Sequence, residues 1–169
     1  MGGSNIGLVR SAVAAYLTNA RIPGLDTVFK HAPFDEGEIA WNVIAAPGQE
    51  ALTFGVVFVD AARDQMIAMD GRGGRRATTY DVVFAVMTRD ISGDSQAAGD
   101  RWDAVTAGVK GALMADPALG TDQSVSGVIE AGTRSLSIGY GRPERYGEGN
   151  TWAAVAEFSF QVTAYEWST

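Results

Sequence analysis

The chain has 169 residues, a length that fits one domain with a well-buried core, and it contains no cysteine. Disulfides, thiolate metal sites and cysteine nucleophiles are therefore excluded, and nothing in the composition calls for an oxidising compartment. Twenty acidic against 13 basic residues give a net charge of -7, which is the wrong sign for binding nucleic acid over a broad surface.

The hydropathy pattern contains no membrane segment. No apolar run approaches the roughly 20 residues that a bilayer-spanning helix needs. The N-terminus, Met1-Gly-Gly-Ser4, lacks the basic and apolar regions of a signal peptide. We therefore expect a soluble, unprocessed protein that does not contact membranes.

The first third of the chain predicts one helix and little regular structure after it. Apolar residues recur at helical spacing over residues 4–19, with Ser4 as N-cap and Pro23-Gly24 just beyond the end. A short strand is expected at 26–30. Residues 31–50 hold prolines, glycines and charges, and we predict a long loop with one strand near 39–44.

The next third predicts a hairpin. Leu52, Phe54, Val56 and Phe58 alternate along one face of a strand. We then expect a turn at 60–64, a shorter strand over 65–70 and a glycine-rich turn at 71–75. A strand over 78–88 follows and pairs with the preceding one.

The last third begins with a loop at 91–99 and an amphipathic helix over 100–115, which Asp116-Pro117 ends because proline disfavours helical geometry before it. Strands are expected over 125–131 and 134–140, with a loop at 141–149. Residues 152–164 then alternate cleanly and predict a half-buried strand. Its length suggests that part of it pairs with a neighbouring chain.

The summed pattern predicts an α+β fold, in which a largely antiparallel β-sheet carries two α-helices on one face. We expect one domain over residues 1–169, with mobile loops around 31–50, 89–99 and 141–149.

Arginines and aromatic residues in turns and at strand ends are the best candidates for protein contacts, because these side chains carry much interface energy. A phosphate-binding role for the turn at 71–76 is disfavoured, since such loops open a helix and this one opens a strand. An exposed hairpin turn and a solvated loop remain alternatives for the two arginine groups. The predicted interface residues are Arg72, Arg75, Arg76, Arg142, Arg145, Tyr146, Trp152 and Trp167.

No residue pattern predicts catalysis, a metal or a cofactor. His31 has no second histidine or cysteine to complete a metal site. The aspartates fall mostly at strand ends and in loops, where turn and cap chemistry explains them. Asp81 lies inside a strand, so we expect it to be exposed or paired with an arginine such as Arg89 or Arg134.

The element order resembles the tail terminator (tail completion) proteins of long-tailed bacteriophages, also called minor tail or head-tail joining proteins. The resemblance covers nearly the whole chain. It rests on the first helix ending in Arg21-Ile-Pro-Gly24, the strand over 80–89, the helix ending at Asp116-Pro-Ala-Leu-Gly120, the paired strands around 125–140 and a last strand ending near Trp167. The long loop at 31–50 and the glycine-rich loop at 141–149 depart from the family pattern.

The resemblance implies a structural, non-enzymatic subunit of the virion, assembled in the host cytoplasm. Such subunits form a ring, a homo-hexamer, on the head-proximal end of the tail tube. The ring stops polymerisation of the tube protein, joins the tail to the head connector protein and lets DNA pass without specific binding. The acidic balance suits this role, because fixed cations in a lumen would hold phosphates and impede passage.

Other functions stay open. The chain could be another neck or tail ring protein, or a small-ligand-binding α+β domain with a pocket lined by Phe54, Phe58, Phe84 and Phe158. An enzyme with an acidic acid-base pair and arginine support is the third alternative.

Overall fold

A computed structural model describes residues 6–35, 38–39, 47–70, 73–116, 119–120, 129–146 and 151–168. Within these residues the elements follow the chain as α1 (Ile6–Asn19), β1 (Thr27–Phe29), β2 (Phe34–Asp35), β3 (Glu38–Ile39), β4 (Ala51–Asp70), β5 (Gly73–Asp90), α2 (Ser95–Ala115), β6 (Ile129–Tyr140), β7 (Glu144–Tyr146) and β8 (Thr151–Ser168). Neither helix is long and apolar enough to cross a membrane.

Six strands form one sheet in the order β1-β4-β5-β8-β6, with β7 also paired to β8. Among the described pairs of this sheet, β1 and β4 run parallel and the others are antiparallel. The strands β2 and β3 make a separate antiparallel pair. The fold is α+β, as predicted.

Helix α1 confirms the predicted first helix. Val9, Val13, Ala14 and Leu17 are buried and recur at the spacing of one helical face. The predicted N-cap, Ser4, lies outside the described residues. The helix therefore contributes one apolar stripe to the core.

Helix α2 begins at Ser95, five residues before the predicted start, so the expected loop at 91–99 is wrong in its second half. The reason is a cap that the apolar pattern does not reveal. The Asp94 carboxylate accepts hydrogen bonds from the amides of Gln96 (3.1 Å) and Ala97 (2.9 Å). The helix ends before Asp116, as predicted.

The two helices are tied together near their ends. The Tyr16 hydroxyl donates a 2.6 Å hydrogen bond to the carbonyl of Ala112. A Cβ on Gly108 would lie 2.6 Å from Cγ2 of Ile22, so the glycine allows the segment after α1 to lie directly against α2. Gly108 thus serves a close approach, whereas a Cβ on Gly99 or Gly111 would meet nothing within 4 Å.

Strand β4 is continuous, so the predicted turn at 60–64 is wrong. The pairing with β5 shifts by one residue between Val59 and Ala61, which marks a β-bulge at Asp60. A second shift lies between Met66 and Ala68. Because β5 runs unbroken beside it, the polar residues of β4 stay in the ladder and do not form a turn.

The predicted hairpin of β4 and β5 is confirmed by their antiparallel register, from Ala51 opposite Asp90 to Asp70 opposite Gly73. Strand β5 already begins at Gly73, inside the predicted turn at 71–75. Gly71 and Arg72 lie outside the described residues.

Strand β6 replaces the two strands predicted over 125–140, and residues 121–128 lie outside the described part of the chain. Its register against β8 is irregular between Gly132 and Ser137, which is where the sequence suggested a break. Strand β7 occupies part of the predicted loop at 141–149.

Strand β8 confirms the clearest prediction, since every second residue from Trp152 to Ala164 is buried. The expected pairing of part of β8 with a neighbouring chain stays a prediction, although most of the strand has partners within the chain. On one side β8 pairs with β5, and on the other it pairs with β6 and β7 as far as Ala164. Up to Ala164, β8 is therefore flanked on both sides by strands of its own chain.

The core lies mainly between the helices and one face of the sheet, which we call the helix side. Phe84 and Phe158 are fully buried there, packed with Val13, Leu17 and Val109 from the helices. Gly55 makes room for this layer, because a Cβ at that position would lie 2.0 Å from Cζ of the Phe84 ring. Both helices therefore cover the same face, as predicted.

A second, smaller apolar cluster lies on the opposite face, which we call the outer side. Leu52, Phe54 and Val56 of β4 are buried there with Ala85 and Met87 of β5. Phe29 packs on this cluster, with its ring 5.8 Å from that of Phe54 in an edge-to-face arrangement. The cluster covers only the end of the sheet near β1.

Candidate functional site

The rest of the outer side is polar, and we call it the open face. It is formed by alternate residues of β5, β8 and β6, which share one side because side chains alternate along a strand. Ala77 on this face is buried, whereas the following side chains are half-buried or exposed: Thr79, Asp81, Val83, Ser137, Val155, Glu157, Ser159, Gln161 and Thr163.

Hydrogen bonds run across the open face from strand to strand. Asp81 accepts from Arg63 Nη2 and from Gln161 Nε2, each at 3.0 Å. The Thr79 and Thr163 hydroxyls lie 3.1 Å apart. The side chains of three neighbouring strands are thus held in one ordered layer.

Asp81 is paired, as predicted, but its partner is Arg63 and not Arg89 or Arg134. The predicted turn at 60–64 hid this contact, because only a continuous β4 puts Arg63 next to β5. The Arg63 side chain is 71% exposed, so the ion pair contributes at most about 1 kcal/mol. Its larger effect is to neutralise a cation on the open face.

Charge is sparse on the open face. Among the described side chains of β5, β8 and β6, its carboxylates are Asp81 and Glu157. Arg63 contributes a cation from β4 but is paired with Asp81, and Arg89 lies at the margin, opposite Leu52 and Ala153. The face therefore offers hydroxyl and amide groups more than fixed charge.

The predicted interface residues fall at the two opposite ends of the sheet. Arg75 lies opposite Trp167, and Arg76 is exposed opposite Glu166. Arg72 and the side chains of Arg75 and Trp167 lie outside what the structure describes.

The other group lies where β5 ends. Arg145 pairs with Trp152 across the ladder, and Tyr146 pairs with Thr151. Arg142 and Arg145 are exposed, and the side chain of Tyr146 is not among those described. Fifteen residues of β5 separate the two groups, or about 50 Å at 3.3 Å per residue. They form two surfaces, not one.

Trp152 is corrected as an interface residue. Its side chain is 9% exposed and contacts Trp102 of α2 edge-to-face, with 6.3 Å between the ring centroids. The alternation of β8 already places Trp152 on the same face as Phe158, which is the signal that should have assigned it to the core.

A corner at this end of the sheet is built around Asp90. The carboxylate accepts from the amide (2.9 Å) and the hydroxyl (2.6 Å) of Ser92, and it forms an ion pair with Arg101 of α2. Burial alone would raise the pKa of Asp90, but the Ser92 hydrogen bonds and the Arg101 guanidinium outweigh it and hold the pKa below its ordinary value.

A shallow notch beside this corner is lined by Asp90, Gly93, Asp94, Ser95, Arg145 and Trp152. Asp94 caps α2 and Asp90 holds the loop before it, so both acids have structural roles. The prediction that the aspartates serve turns and caps is confirmed for this pair.

His31 forms a local contact. Arg10 Nη1 lies 3.2 Å from His31 Nδ1, which must accept because a guanidinium only donates. Among the described residues, no three His, Cys, Asp or Glu side chains are grouped to hold a metal ion.

The apolar pocket considered for a small ligand is wrong in its geometry. Phe84 and Phe158 lie on the helix side, whereas Phe54 and Phe58 belong to the cluster on the outer side. The sheet separates the two pairs, so these four rings cannot line one cavity.

Comparison with known proteins gives no assignment: no protein-family model matches this chain, and no curated protein sequence is significantly similar to it.

Proposed function

We propose that this chain is a structural ring subunit of a bacteriophage tail, a tail terminator at the head-proximal end of the tail tube. In this role about six copies close a ring, contact the tube protein with one face and the head connector protein with the other, and leave a channel for DNA.

The open face is the observation that carries the proposal. A channel for DNA needs a wall that is ordered and polar yet does not hold phosphates. The open face supplies hydroxyl and amide groups on a rigid sheet, and Asp81 neutralises Arg63. The apolar layer behind it, between the sheet and the helices, keeps the wall stiff.

The two groups of arginine and aromatic residues support the same arrangement. A ring between a tube and a connector needs two separate contact surfaces. Exposed Arg76 at one end of the sheet and exposed Arg142 and Arg145 at the other fit such axial contacts.

The first test is assembly. The purified protein is mixed with the tail tube protein of the same phage, and tube length and native mass are measured by electron microscopy and mass spectrometry. We expect rings of about six copies on tube ends and an arrest of tube growth. A protein that never closes rings and leaves tube length unchanged would refute the proposal.

The second test addresses the open face. Glu157→Lys places a cation on that face, whereas Asp103→Lys makes the same charge change at an exposed position on α2. We expect both variants to form rings and only Glu157→Lys to slow DNA delivery in infection assays. Equal DNA delivery by both variants would mean that the open face does not line the channel. The result of the assembly test would not be affected.

A further inference from the structure

The two edges of the main sheet, formed by β1 with the rest of β4 on one side and by β6 on the other, differ in how well they are protected. Beyond its short pairing with β1, β4 carries Asp60, Arg63 and Asp64 and a bulge, which are features that discourage pairing with another strand. Residues 135–141, which form the second half of β6 and the residue after it, contain no charged residue and no proline. Among the described residues, the outer edge of β6 has no strand partner.

The direction of the backbone groups on this edge follows from one hydrogen bond. The Gly141 amide donates to the carbonyl of Val155 in β8, at 2.7 Å. Successive amides of a strand point to opposite edges. The amides of Ile138 and Tyr140 therefore point outward, away from β8, and are available to another strand.

The side chains on this edge are apolar and lie on the helix side. Leu136 and Ile138 are half-buried and pack against the main core cluster. Tyr140 shares their face and is 58% exposed, one of the most exposed large hydrophobic side chains that the structure describes. An added strand would cover it.

The sequence here is complementary to itself. When two β6 strands are placed antiparallel with Ile138 opposite Ile138, each Tyr140 lies opposite Leu136 of the second copy, and Ser137 lies opposite Gly139. The aligned residues Ile138 and Tyr140 are those whose amides point outward, so the register forms hydrogen-bonded pairs and apolar cross-strand contacts together.

We infer that the free protein forms a two-fold dimer through the outer edge of β6, centred on Ile138, which joins two copies into one continuous sheet with α1 and α2 of both copies on the same side. The contact is isologous, with the same residues on both copies. It is short, so we expect a dissociation constant between about 1 µM and 1 mM.

This inference does not rest on the proposed ring. A closed ring uses two different surfaces of each subunit, whereas the dimer uses one surface twice. The dimer would shield the unprotected edge of β6 when the protein is not assembled.

The test combines sedimentation equilibrium over a concentration series with amide hydrogen exchange. Tyr140→Pro removes both the aromatic side chain and the outward-pointing backbone N–H. A proline is tolerated on an edge whose N–H faces solvent. Met114→Gln changes a side chain on α2 with the same 58% exposure and serves as the control. Tyr140→Thr keeps the backbone N–H and removes only the aromatic side chain.

We expect the wild type and Met114→Gln to dimerise alike, Tyr140→Thr to dimerise more weakly and Tyr140→Pro to stay monomeric. The Ile138 amide should exchange slowly only at high concentration. A single monomer mass at all concentrations would overturn the inference. Self-association that Tyr140→Pro leaves unchanged, or fast exchange at Ile138 in the dimer, would overturn it as well.

Discussion

On the helix side of the sheet, β5 and β8 bury Phe84 and Phe158 completely, whereas on the outer side the same two strands present Asp81 and Gln161 to solvent. Phe84 lies three positions after Asp81, and Phe158 lies three positions before Gln161. Because side chains alternate, one strand supplies both a core layer and a solvated layer. The face on which a side chain lies therefore depends on whether its position along the strand is odd or even. Substitutions on the two faces should differ in their effect on stability.

The largest effects are expected from aromatic residues buried on opposite sides. Phe158 and Phe54 are both fully buried, but Phe158 lies in the main core and Phe54 in the small cluster with partly buried neighbours. We expect Phe158→Ala to lower the free energy of unfolding by about 4 kcal/mol and Phe54→Ala by about 3 kcal/mol, since the small cluster can collapse around the gap. Urea denaturation measures both. A larger loss for Phe54→Ala would show that the outer cluster is packed as rigidly as the main core.

The next effect concerns the space that Gly55 leaves for Phe84. A methyl group at Gly55 would lie 2.0 Å from the ring, and the ring is enclosed by the core. We expect Gly55→Ala to destabilise the fold by about 1–3 kcal/mol through overpacking. The double variant Gly55→Ala with Phe84→Leu should lose less than the sum of the two single variants. Strictly additive losses of stability would indicate that the Phe84 ring is not the group that excludes a side chain at position 55.

The corner at Asp90 should make stability depend on pH. The pKa of this carboxyl is lowered in the folded protein, so its stabilisation is present above the unfolded value of about 3.9 and is lost as pH falls through the folded pKa. We expect Asp90→Asn to lower the free energy of unfolding at pH 7 by about 1–2 kcal/mol, because charged hydrogen bonds are lost and Arg101 is half exposed to water.

The difference between the Asp90→Asn variant and the wild type should shrink as the pH falls below about 4. Thermal unfolding at several pH values provides the measurement. A gap of constant size from pH 7 to pH 3 would mean that the charge of Asp90 contributes nothing to folding.

The smallest effect is expected on the open face. Arg63→Met breaks the ion pair with Asp81, but Arg63 is 71% exposed, so the loss should stay below about 1 kcal/mol and decrease further with added salt. Urea denaturation at low and high salt tests this. A loss of stability comparable to that of Asp90→Asn would show that the polar contacts of the open face stabilise the fold.

The sequence predicted the parts of this fold whose patterns are local. Strand β8 could be predicted residue by residue, because its alternation from Trp152 to Ala164 is uninterrupted and each inward side chain packs on the helices. The fold class followed from the order of the elements. The end of α2 followed from Asp116-Pro117, where the steric reason is contained in two residues.

The wrong predictions have other causes. The polar stretch at Asp60 looked like a turn, but pairing with β5 keeps it extended, and that pairing depends on a distant segment. The same omission hid the contact between Arg63 and Asp81. The start of α2 was missed because the cap at Asp94 precedes a first turn with few apolar residues.

The candidate sites were predicted less well than the fold. The arginines and aromatics were chosen by residue type alone, and type does not reveal that Trp152 points into the core or that the two arginine groups lie at opposite ends of the sheet. The alternation of side chains along β8 would have removed Trp152 from the predicted interface residues. The separation of the groups needs the register of β5 against β8, which no local pattern contains.

The bulge at Asp60 has a consequence for shape. Val59 and Ala61 are opposite consecutive residues of β5, so Asp60 is an extra residue in β4 at this bulge. Deleting it would leave every later side chain on its present face, while the extra bend and twist that a bulge adds would disappear. The residue thus sets the curvature of the hairpin independently of its packing. The bend of the β4–β5 hairpin can therefore be changed by deleting one exposed residue, without changing which side chains enter the core.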